Sequence, residues 1–438
     1  MNPADASKVP NMSTDLLRRY RGALPSFLSP YYEEPIEIDH GAGSYVFDSE
    51  GQRYLDYFGG VVTTVIGHNN ETVTKAVQAQ AAKVMHTSSL YLSEPMIALA
   101  ERIADLSGIP DARVFLTPSG TEANDTAILL ATSYRKSNQM LAMRNSYHGR
   151  SFTTQAITSH SSWSSTSLSG LQVTFVQGPY KMRSPFAHLE GDDFTAACVN
   201  DLVQLIDMTG SGDIAGLIAE PIQGVGGYTV PPDGFFGSMK KELDNHGILY
   251  ISDEVQTGWG RTGDHFWGYQ AHGIVPDMLT FAKGVGNGIT LAGIVARADI
   301  FDTIEVSHFS TFGGIPLSAA AGLATIDYVV DNNLQQNAQV MGQRLRDGLD
   351  SLAAKHDWVA EVRGRGLMLG IELVEPGTTE PSKERTVAMH EGAKKHGLLV
   401  GKGGLYGNVL RLAPMMNLTA EEADEGVAAL HAAADEIN

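Results

Sequence analysis

The chain has 438 residues, 43% of them hydrophobic, so it can bury the core of one large domain and a smaller one. Its 50 acidic residues outnumber the 31 basic ones and give a formal net charge of −19, which argues against nucleic acid and anionic membranes as partners. A single cysteine excludes an intrachain disulfide, and the lack of a signal-like or membrane-length apolar run predicts a cytoplasmic protein.

The first segment in chain order is residues 1–69. Up to residue 40, its hydrophobic residues recur with only weak periodicity, which predicts an arm or a first helix. We expect this segment to join the smaller domain. In the middle segment, residues 70–315, short apolar runs alternate with helical stretches, as is typical of a parallel sheet with crossover helices. The runs with strand character are 114–116, 140–143, 214–219, 248–252 and 278–282. Residues 161–192, rich in Ser with Gly and Pro, are predicted to be a long surface excursion.

The last segment, residues 316–438, predicts the smaller domain. A long helical stretch follows Pro316, and strand-like runs follow at 367–374, 398–400 and 409–412. Thr419 and Glu422 have the spacing of a capping box and predict the start of a final helix.

Two runs of the middle segment end in residues that can do chemistry. The run 248–252 leads into Asp253 and Glu254, and the run 278–282 leads into Lys283 and a glycine-rich turn. Because ligands of open α/β sheets bind beyond the carboxyl ends of the strands, we expect acid and amine to meet there. Such an amine can form a Schiff base with an aldehyde cofactor, and the acid can keep a pyridine nitrogen protonated. Neighbouring side chains of a strand face opposite sides, so only one of the two acids can reach the ring.

A third motif has the features of an anion site. The turn Ser119-Gly120-Thr121 follows a strand-like run and opens a helical run at Glu122, so backbone N–H groups and the helix dipole can face a phosphate. An ordinary helix cap is the alternative for this turn, and a surface position is the alternative for a lone lysine. The presence of all three motifs together favours a phosphorylated pyridine aldehyde as the ligand.

The motifs at 119–124, 253–258 and 283–288 together resemble the class III (ω-amino acid) aminotransferases. Within that family, the chain is most similar to the branch that holds alanine–glyoxylate aminotransferase 2 and its relatives. The resemblance runs from about residue 45 to 425. It implies an α/β chain with the fold type I of pyridoxal-phosphate-dependent transferases: a mainly parallel seven-stranded sheet in the large domain and a smaller α+β C-terminal domain. It also implies pyridoxal 5′-phosphate as cofactor and a homodimer or homotetramer with shared active sites.

The same resemblance implies roles around the cofactor. Lys283 would be the Schiff-base lysine and acid–base catalyst, Asp253 would hold the ring nitrogen, and Gln256 would reach the ring hydroxyl. The remaining implied cofactor contacts are Ser119, Gly120, Thr121, Tyr147, His148 and Thr311 of the partner subunit. Tyr147 could instead be an ordinary core tyrosine, and Thr311 could belong to a plain turn. The 14 histidines show no metal-ligand spacing, so we predict no metal site.

The resemblance implies a substrate site as well. Arg411, a lone charge in an apolar run, would bind a substrate carboxylate. Glu220 would pair with Arg411 when the bound substrate has no carboxylate at that position. The other implied pocket residues are Tyr57, Phe58, Arg150 and Tyr91 of the partner subunit. Arg150 could hold a second carboxylate or be a surface charge.

We therefore expect an aminotransferase that takes an amino group from a primary amine or ω-amino acid. By a ping-pong mechanism, it would give that group to a 2-oxo acid such as pyruvate, glyoxylate or 2-oxoglutarate. One alternative is a phospho-lyase of the same branch that acts on a phosphorylated amino alcohol. Another is a non-catalytic nucleotide-binding α/β protein, against which the chain has no G-x-G-x-x-G after a strand and no G-x-x-x-x-G-K-[ST].

Overall fold

The computed structural model describes residues 12–209 and 211–437. Residues 1–11 of the predicted N-terminal arm, together with residues 210 and 438, lie outside the described part. Within it, no helix has both the length and the apolar character needed to cross a membrane.

The elements fall into three groups along the chain. The N-terminal elements are α1 Met12–Ala23, β1 Ile38–Ala42, β2 Tyr45–Asp48, β3 Arg53–Asp56, α2 Gly59–Val62, α3 Glu71–Ala81 and α4 Glu94–Ser107. The middle elements are β4 Ala112–Thr117, α5 Gly120–Arg135, β5 Gln139–Met143, α6 Phe152–Ala156, β6 Gln172–Val176, α7 Gly191–Thr209, β7 Gly216–Ala219, α8 Phe235–Asn245, β8 Leu249–Asp253, β9 Met278–Phe281, β10 Ala292–Arg297 and α9 Ala298–Phe301. The C-terminal elements are α10 Pro316–Asp331, α11 Leu334–Ala353, β11 Val359–Arg365, β12 Met368–Leu373, α12 Lys383–Lys395, β13 Leu398–Leu399, β14 Gly401–Gly403, β15 Val409–Leu412 and α13 Ala420–Asp435. Short 3-10 turns occur at Lys181–Arg183, Gly268–His272 and Lys283–Gly286.

The largest sheet has seven strands in the order β4-β10-β9-β8-β7-β5-β6. The neighbours from β9 to β6 pair in parallel, and β10 runs antiparallel to both β9 and β4. Strand β10 is thus the single reversed strand, and the carboxyl ends of the other six lie along one edge. Every residue of β7, β8 and β9 is buried, as expected for strands covered by helices on both faces. The predicted mainly parallel seven-stranded sheet is confirmed.

Two local predictions were wrong. The segment 161–192 contains strand β6, an edge strand with a partly exposed side-chain pattern in a polar stretch, so the apolar signal was weak. The long helical stretch after Pro316 is two helices, because Asn333 takes a left-handed backbone conformation (φ +52°) that interrupts the first one.

Two smaller sheets flank the large one, with strand orders β1-β2-β3-β13 and β11-β12-β15-β14. The first joins the N-terminal strands to the C-terminal part of the chain through the pair β3 and β13. A common core, which includes Leu55, Leu345, Ile371 and Leu410, fills the space between these sheets and helices α11 and α13. Helix α13 begins with the predicted capping box at Thr419.

Candidate active site

A cavity of about 320 Å³ lies at the carboxyl edge of the large sheet. Most of its wall is formed by residues at or shortly after the carboxyl ends of five strands, β4, β5, β7, β8 and β9, and the rest by Thr63 and residues 288–291. Because these strands run in one direction, segments far apart in sequence converge at that edge. The predicted site residues that line the cavity are Ser119, Gly120, Thr121, Tyr147, His148, Arg150, Glu220, Asp253, Gln256 and Lys283.

The two adjacent acids after β8 have different surroundings. The Asp253 carboxylate lines the cavity, and its Oδ2 accepts hydrogen bonds from Asn124 Nδ2 and His148 Nδ1, both at 2.8 Å. Glu254 is fully buried and does not line the cavity; its oxygens accept from the backbone N–H groups of Gly268 and Tyr269, both at 2.8 Å. The opposite directions follow from the alternation of side chains along a strand. Asp253, and not Glu254, faces the cavity.

Lys283 lines the cavity two residues after the end of β9. Its backbone has a left-handed conformation (φ +48°) at the start of the turn Lys283–Gly286. Burial lowers the pKa of its ammonium below the ordinary value, and Arg411 adds to this, while the carboxylates of Asp253 and Glu220 oppose it. A buried amine with a lowered pKa is more often neutral, which is the form that attacks an aldehyde.

The predicted anion site is the N-terminus of helix α5. Ser119 is its N-cap, and the Ser119 hydroxyl accepts from the N–H of Glu122 at 3.3 Å. A Cβ on Gly120 would lie 3.2 Å from the Val255 side chain and 3.3 Å from that of Ala282, so the turn packs tightly against the segments that carry Asp253 and Lys283. The first N–H groups of a helix have no partner inside it and are available to an anion.

Three further predicted cofactor residues lie on the cavity wall. The Tyr147 ring contacts Trp163 edge-on at 5.6 Å, and burial raises the pKa of its hydroxyl. Two buried side-chain atoms, His148 Nε2 and Gln256 Oε1, have no protein partner among the described residues. Buried polar atoms without partners are uncommon in folded proteins and accumulate where a ligand supplies the missing contact.

Glu220 and Arg411, predicted to pair, do not form an ion pair among the described residues. The Glu220 oxygens accept instead from the N–H groups of Tyr147 at 2.9 Å and Gly224 at 2.8 Å. Arg411 donates from Nε to the Lys402 carbonyl at 3.0 Å and from Nη1 to the Gly224 carbonyl at 3.2 Å. In this conformation the backbone of residue 224 bonds to both side chains; their pairing, expected when a bound substrate has no carboxylate there, stays a prediction.

The predicted pocket residues Tyr57 and Phe58 separate in the structure. Phe58 lies under the Arg411 guanidinium, whose central carbon is 5.2 Å from the centre of the Phe58 ring; Phe58 does not line the cavity, and its place in the substrate site stays a prediction. Tyr57 is fully buried in the core between the smaller sheets and helix α13, and its hydroxyl donates to the Glu422 carbonyl at 2.8 Å. Gly426 on α13 makes room for that ring, since a Cβ there would lie 2.4 Å from the hydroxyl. Tyr57 is therefore a core residue and not a pocket residue.

The remaining predicted residues lie toward the surface. Arg150 is exposed at the cavity rim, and its N–H donates to Thr121 Oγ1 at 3.3 Å. Thr311 and Tyr91 are exposed and do not line the cavity of their own chain; Tyr91 is 69% exposed. The Thr311 carbonyl bonds to His86 Nε2 at 2.9 Å, which ties the segments around residues 86 and 311 together.

The sequence analysis missed Asn124 as a site residue. Its Nδ2 donates to both Asp253 Oδ2 and the His148 carbonyl at 2.8 Å, and its Oδ1 accepts from Thr280 Oγ1 at 2.7 Å. It lies one helical turn beyond Gly120, the first residue of α5, on the side of the helix that faces strands β8 and β9. That spacing was the available signal, because residues four apart share one face of a helix.

Over most of its length, the chain is similar to a family model and to known proteins. The family model described as aminotransferase class-III matches residues 28–434. The chain is 38% identical over 406 residues to alanine–glyoxylate aminotransferase 2 homolog 2, mitochondrial, of Arabidopsis thaliana, covering 91% of this chain and 83% of that protein. It is 34% identical over 433 residues to alanine–glyoxylate aminotransferase 2, mitochondrial, of Homo sapiens, with 94% and 84% covered. Among solved structures, it is similar to an amine transaminase from an uncultivated Pseudomonas species in the PLP-bound form, with a TM-score of 0.89, 31% identity and coverage of 95% and 98%.

Proposed function

The chain belongs to the class III aminotransferase family, and we propose that it moves an amino group from a primary amine or ω-amino acid to a 2-oxo acid. Pyruvate, glyoxylate and 2-oxoglutarate are the proposed acceptors. The observation that carries the proposal is that Lys283, Asp253 and the helix start at Ser119 all meet one cavity. An amine, an acid and an anion site are the three groups that this chemistry needs.

Enzymes of this family use pyridoxal 5′-phosphate, and the cavity fits that cofactor. The N-terminus of α5 suits the phosphate, and the Asp253 carboxylate suits a protonated ring nitrogen. The unpartnered Gln256 Oε1 on the wall can accept from the ring hydroxyl. When bound, the cofactor supplies an aldehyde that takes up the amino group and a ring that withdraws electrons from the carbon bearing it.

The protein's own groups then have distinct tasks. Asp253, held by Asn124 and His148, keeps a proton on the ring nitrogen by its negative charge. The Lys283 amine removes the proton from the donor's Cα and, in the second half-reaction, delivers one to the acceptor's Cα. Its lowered pKa suits it for both directions, because a catalytic group transfers protons best when its pKa is near the working pH.

Arg411 is the proposed ligand for the acceptor's carboxylate. It is 4% exposed and is held by two backbone carbonyls and the rings of Phe58 and Tyr228, and it makes no ion pair among the described residues. Its charge also acts on the Lys283 amine, so it lies within electrostatic range of the reacting centre. A buried guanidinium without an acidic partner gains most from an incoming carboxylate. Glu220 would pair with it only after leaving its two backbone donors.

We propose that a homodimer completes the site, with Thr311 and Tyr91 facing the other subunit's cavity. Apolar side chains are exposed in the two segments that carry these residues, which supports a covered surface there. They are Met85, Leu90, Leu92, Val306, Phe309 and Phe312, with Leu92 94% exposed. The division into residues 1–69, 70–315 and 316–438 also stays a proposal, supported by the core that joins the first and last segments. The cytoplasmic location remains a prediction.

The test is a product analysis of the purified protein with added pyridoxal 5′-phosphate. A panel of primary amines and ω-amino acids is incubated with each 2-oxo acid, and new amino acid is compared with donor consumed. Equal amounts, and no donor consumption beyond one equivalent per active site when the 2-oxo acid is omitted, support aminotransfer. Ammonia and phosphate released from a phosphorylated amino alcohol without any 2-oxo acid would instead indicate the phospho-lyase.

A further inference from the structure

Four residues form a row across the sheet β11-β12-β15-β14. Arg363 stands opposite Gly370, Gly370 opposite Arg411, and Arg411 opposite Gly401. Directly opposed residues of antiparallel strands have their side chains on the same face. The two arginines therefore flank Gly370 on one face of the sheet, two strands apart.

A backbone turn occupies the space above Gly370. The turn runs from Gly224 to Gly227 and is closed by a hydrogen bond from the Gly227 N–H to the Gly224 carbonyl at 3.2 Å. Arg411 Nη1 donates to the first of its carbonyls at 3.2 Å, and Arg363 Nε donates to the last, that of Gly227, at 2.8 Å. A Cβ on Gly370 would lie only 2.9 Å from the Gly227 oxygen, so the turn rests directly on the glycine between the two arginines.

The two arginines differ in how their charges are compensated. Arg363 Nη1 contacts Glu361 at 2.7 Å and the fully buried Glu372 at 2.5 Å. Glu372 also accepts from the Tyr180 hydroxyl at 2.6 Å, which fixes it further. Arg411 has no carboxylate within ion-pair distance among the described residues. The positive charge of Arg411 is therefore available to a ligand, whereas the charge of Arg363 is neutralised by Glu361 and Glu372.

We propose that Arg363 is a positioning residue for the substrate's carboxylate. By holding the Gly227 end of the turn, it fixes the Gly224 carbonyl and through it the Arg411 guanidinium. The proposal rests on the proposed function, in which Arg411 binds the acceptor's carboxylate. Loosening the turn weakens binding of a 2-oxo acid and leaves an amine donor without a carboxylate unaffected.

Two variants disturb the turn in different ways. Arg363→Lys keeps a charge beside Glu372 but has no N–H at the Nε position to hold the Gly227 carbonyl. Gly370→Ala leaves every charge in place and presses on the same carbonyl. In the holoenzyme, both are expected to raise the KM for the 2-oxo acid about threefold to tenfold, the effect of one displaced hydrogen bond. The kcat and the half-reaction with a simple amine stay near the wild-type values. Gly170→Ala is the matched control, because nothing lies within 4 Å of its added Cβ.

The double variant with Arg363→Lys and Arg411→Met tests whether Arg363 affects the acceptor KM through Arg411. If Arg363 acts through Arg411, Arg363→Lys adds nothing to the acceptor KM once Arg411 is gone. Wild-type acceptor KM in both single variants, or equal losses for amine and 2-oxo acid, would overturn the proposal while the proposed function stands. An unchanged acceptor KM in Arg411→Met alone would remove the carboxylate role of Arg411, and the positioning role with it. Should Arg363→Lys fail to fold, Gly370→Ala carries the test.

Discussion

Asp253→Asn and Glu254→Gln are matched changes at adjacent positions with opposite expected effects. Each replaces one carboxylate by an amide of the same size. Asp253 faces the cavity and Glu254 faces the core. We expect the first change to slow the reaction with little loss of stability, and the second to lower stability with little loss of activity per folded molecule.

The expected cost at Asp253 is kinetic. An asparagine can place its amide oxygen where Oδ2 now accepts from Asn124 and His148, so only the contact from the Val255 N–H is lost, about 1 kcal/mol of stability. A nearby opposite charge shifts a pKa by about 1–3 units, so its loss lowers the protonated fraction of the ring nitrogen by about tenfold to thousandfold. The donor half-reaction slows by a similar factor.

The expected cost at Glu254 is structural. Each of its oxygens accepts from one hydroxyl and one backbone N–H, so an amide NH₂ at either position faces a donor that cannot reverse its role. The four donors are Ser252 Oγ, Thr257 Oγ1, Gly268 N and Tyr269 N. Losing a charged hydrogen bond and leaving an N–H unpaired lowers the free energy of unfolding by about 2–4 kcal/mol.

The assay pairs urea unfolding with single-turnover kinetics on both variants. The result that refutes the argument is a slow but stable Glu254→Gln together with a fast Asp253→Asn. That outcome would move the ring-nitrogen role to the acid that the structure places in the core.

Three other predictions concern charged groups in or near the cavity: Lys283 and Glu220 line it, and Arg411 does not. Lys283→Ala should abolish turnover and the visible absorbance of the lysine-bound cofactor while the circular dichroism stays unchanged; an absorbance that persists contradicts the assignment. Arg411→Met should lower kcat/KM for the 2-oxo acid about tenfold to a hundredfold, the effect of one lost charge-assisted contact, and that for a simple amine much less. Arg150→Met, measured beside it, shows whether the arginine at the cavity rim holds a second carboxylate, and equal losses for both substrates in Arg411→Met make Arg411 structural. Burial raises the pKa of the Glu220 carboxyl to about 7, so the folded protein binds a proton that the unfolded chain has released, and stability from this group is lost as pH rises through about 7. In cofactor-free protein, the Glu220→Gln amide faces one of two backbone N–H donors at every pH, which is a constant cost, so the prediction concerns the pH dependence. Urea unfolding should show wild type losing stability relative to Glu220→Gln as pH rises from about 5 to about 8, and identical pH dependence of both proteins refutes this.

The parts of the fold that the sequence predicted are those with a strong local signal. The strands β7, β8 and β9 are continuous apolar runs bounded by turn residues, because helices cover both faces of the sheet. Strand β6 lies at the edge among polar residues and gives no such signal. The break between α10 and α11 depends on the backbone of Asn333, and asparagine also occurs within helices.

Within the site, the sequence predicted which face of a strand a side chain occupies, but it did not predict the path of a loop. The alternation of side chains correctly separates Asp253 from Glu254. Tyr57 and Phe58 follow strand β3, and which of them enters the core is decided by Gly426 on α13, far away in sequence. The distance between Glu220 and Arg411 depends on the turn that begins at Gly224, whose path is set by contacts to another sheet.

In the proposed reaction, an amino group passes between two substrates by way of the Lys283 site. A single turnover with a ¹⁵N-labelled amine donor and purified holoenzyme, without any 2-oxo acid, tests this passage. We expect that one equivalent of donor is consumed per active site, that the label stays on the protein, and that added pyruvate or glyoxylate then releases it as labelled amino acid. Lys283→Ala should consume no donor. Continued donor consumption without an acceptor, with the label leaving as ammonia, would contradict the claim.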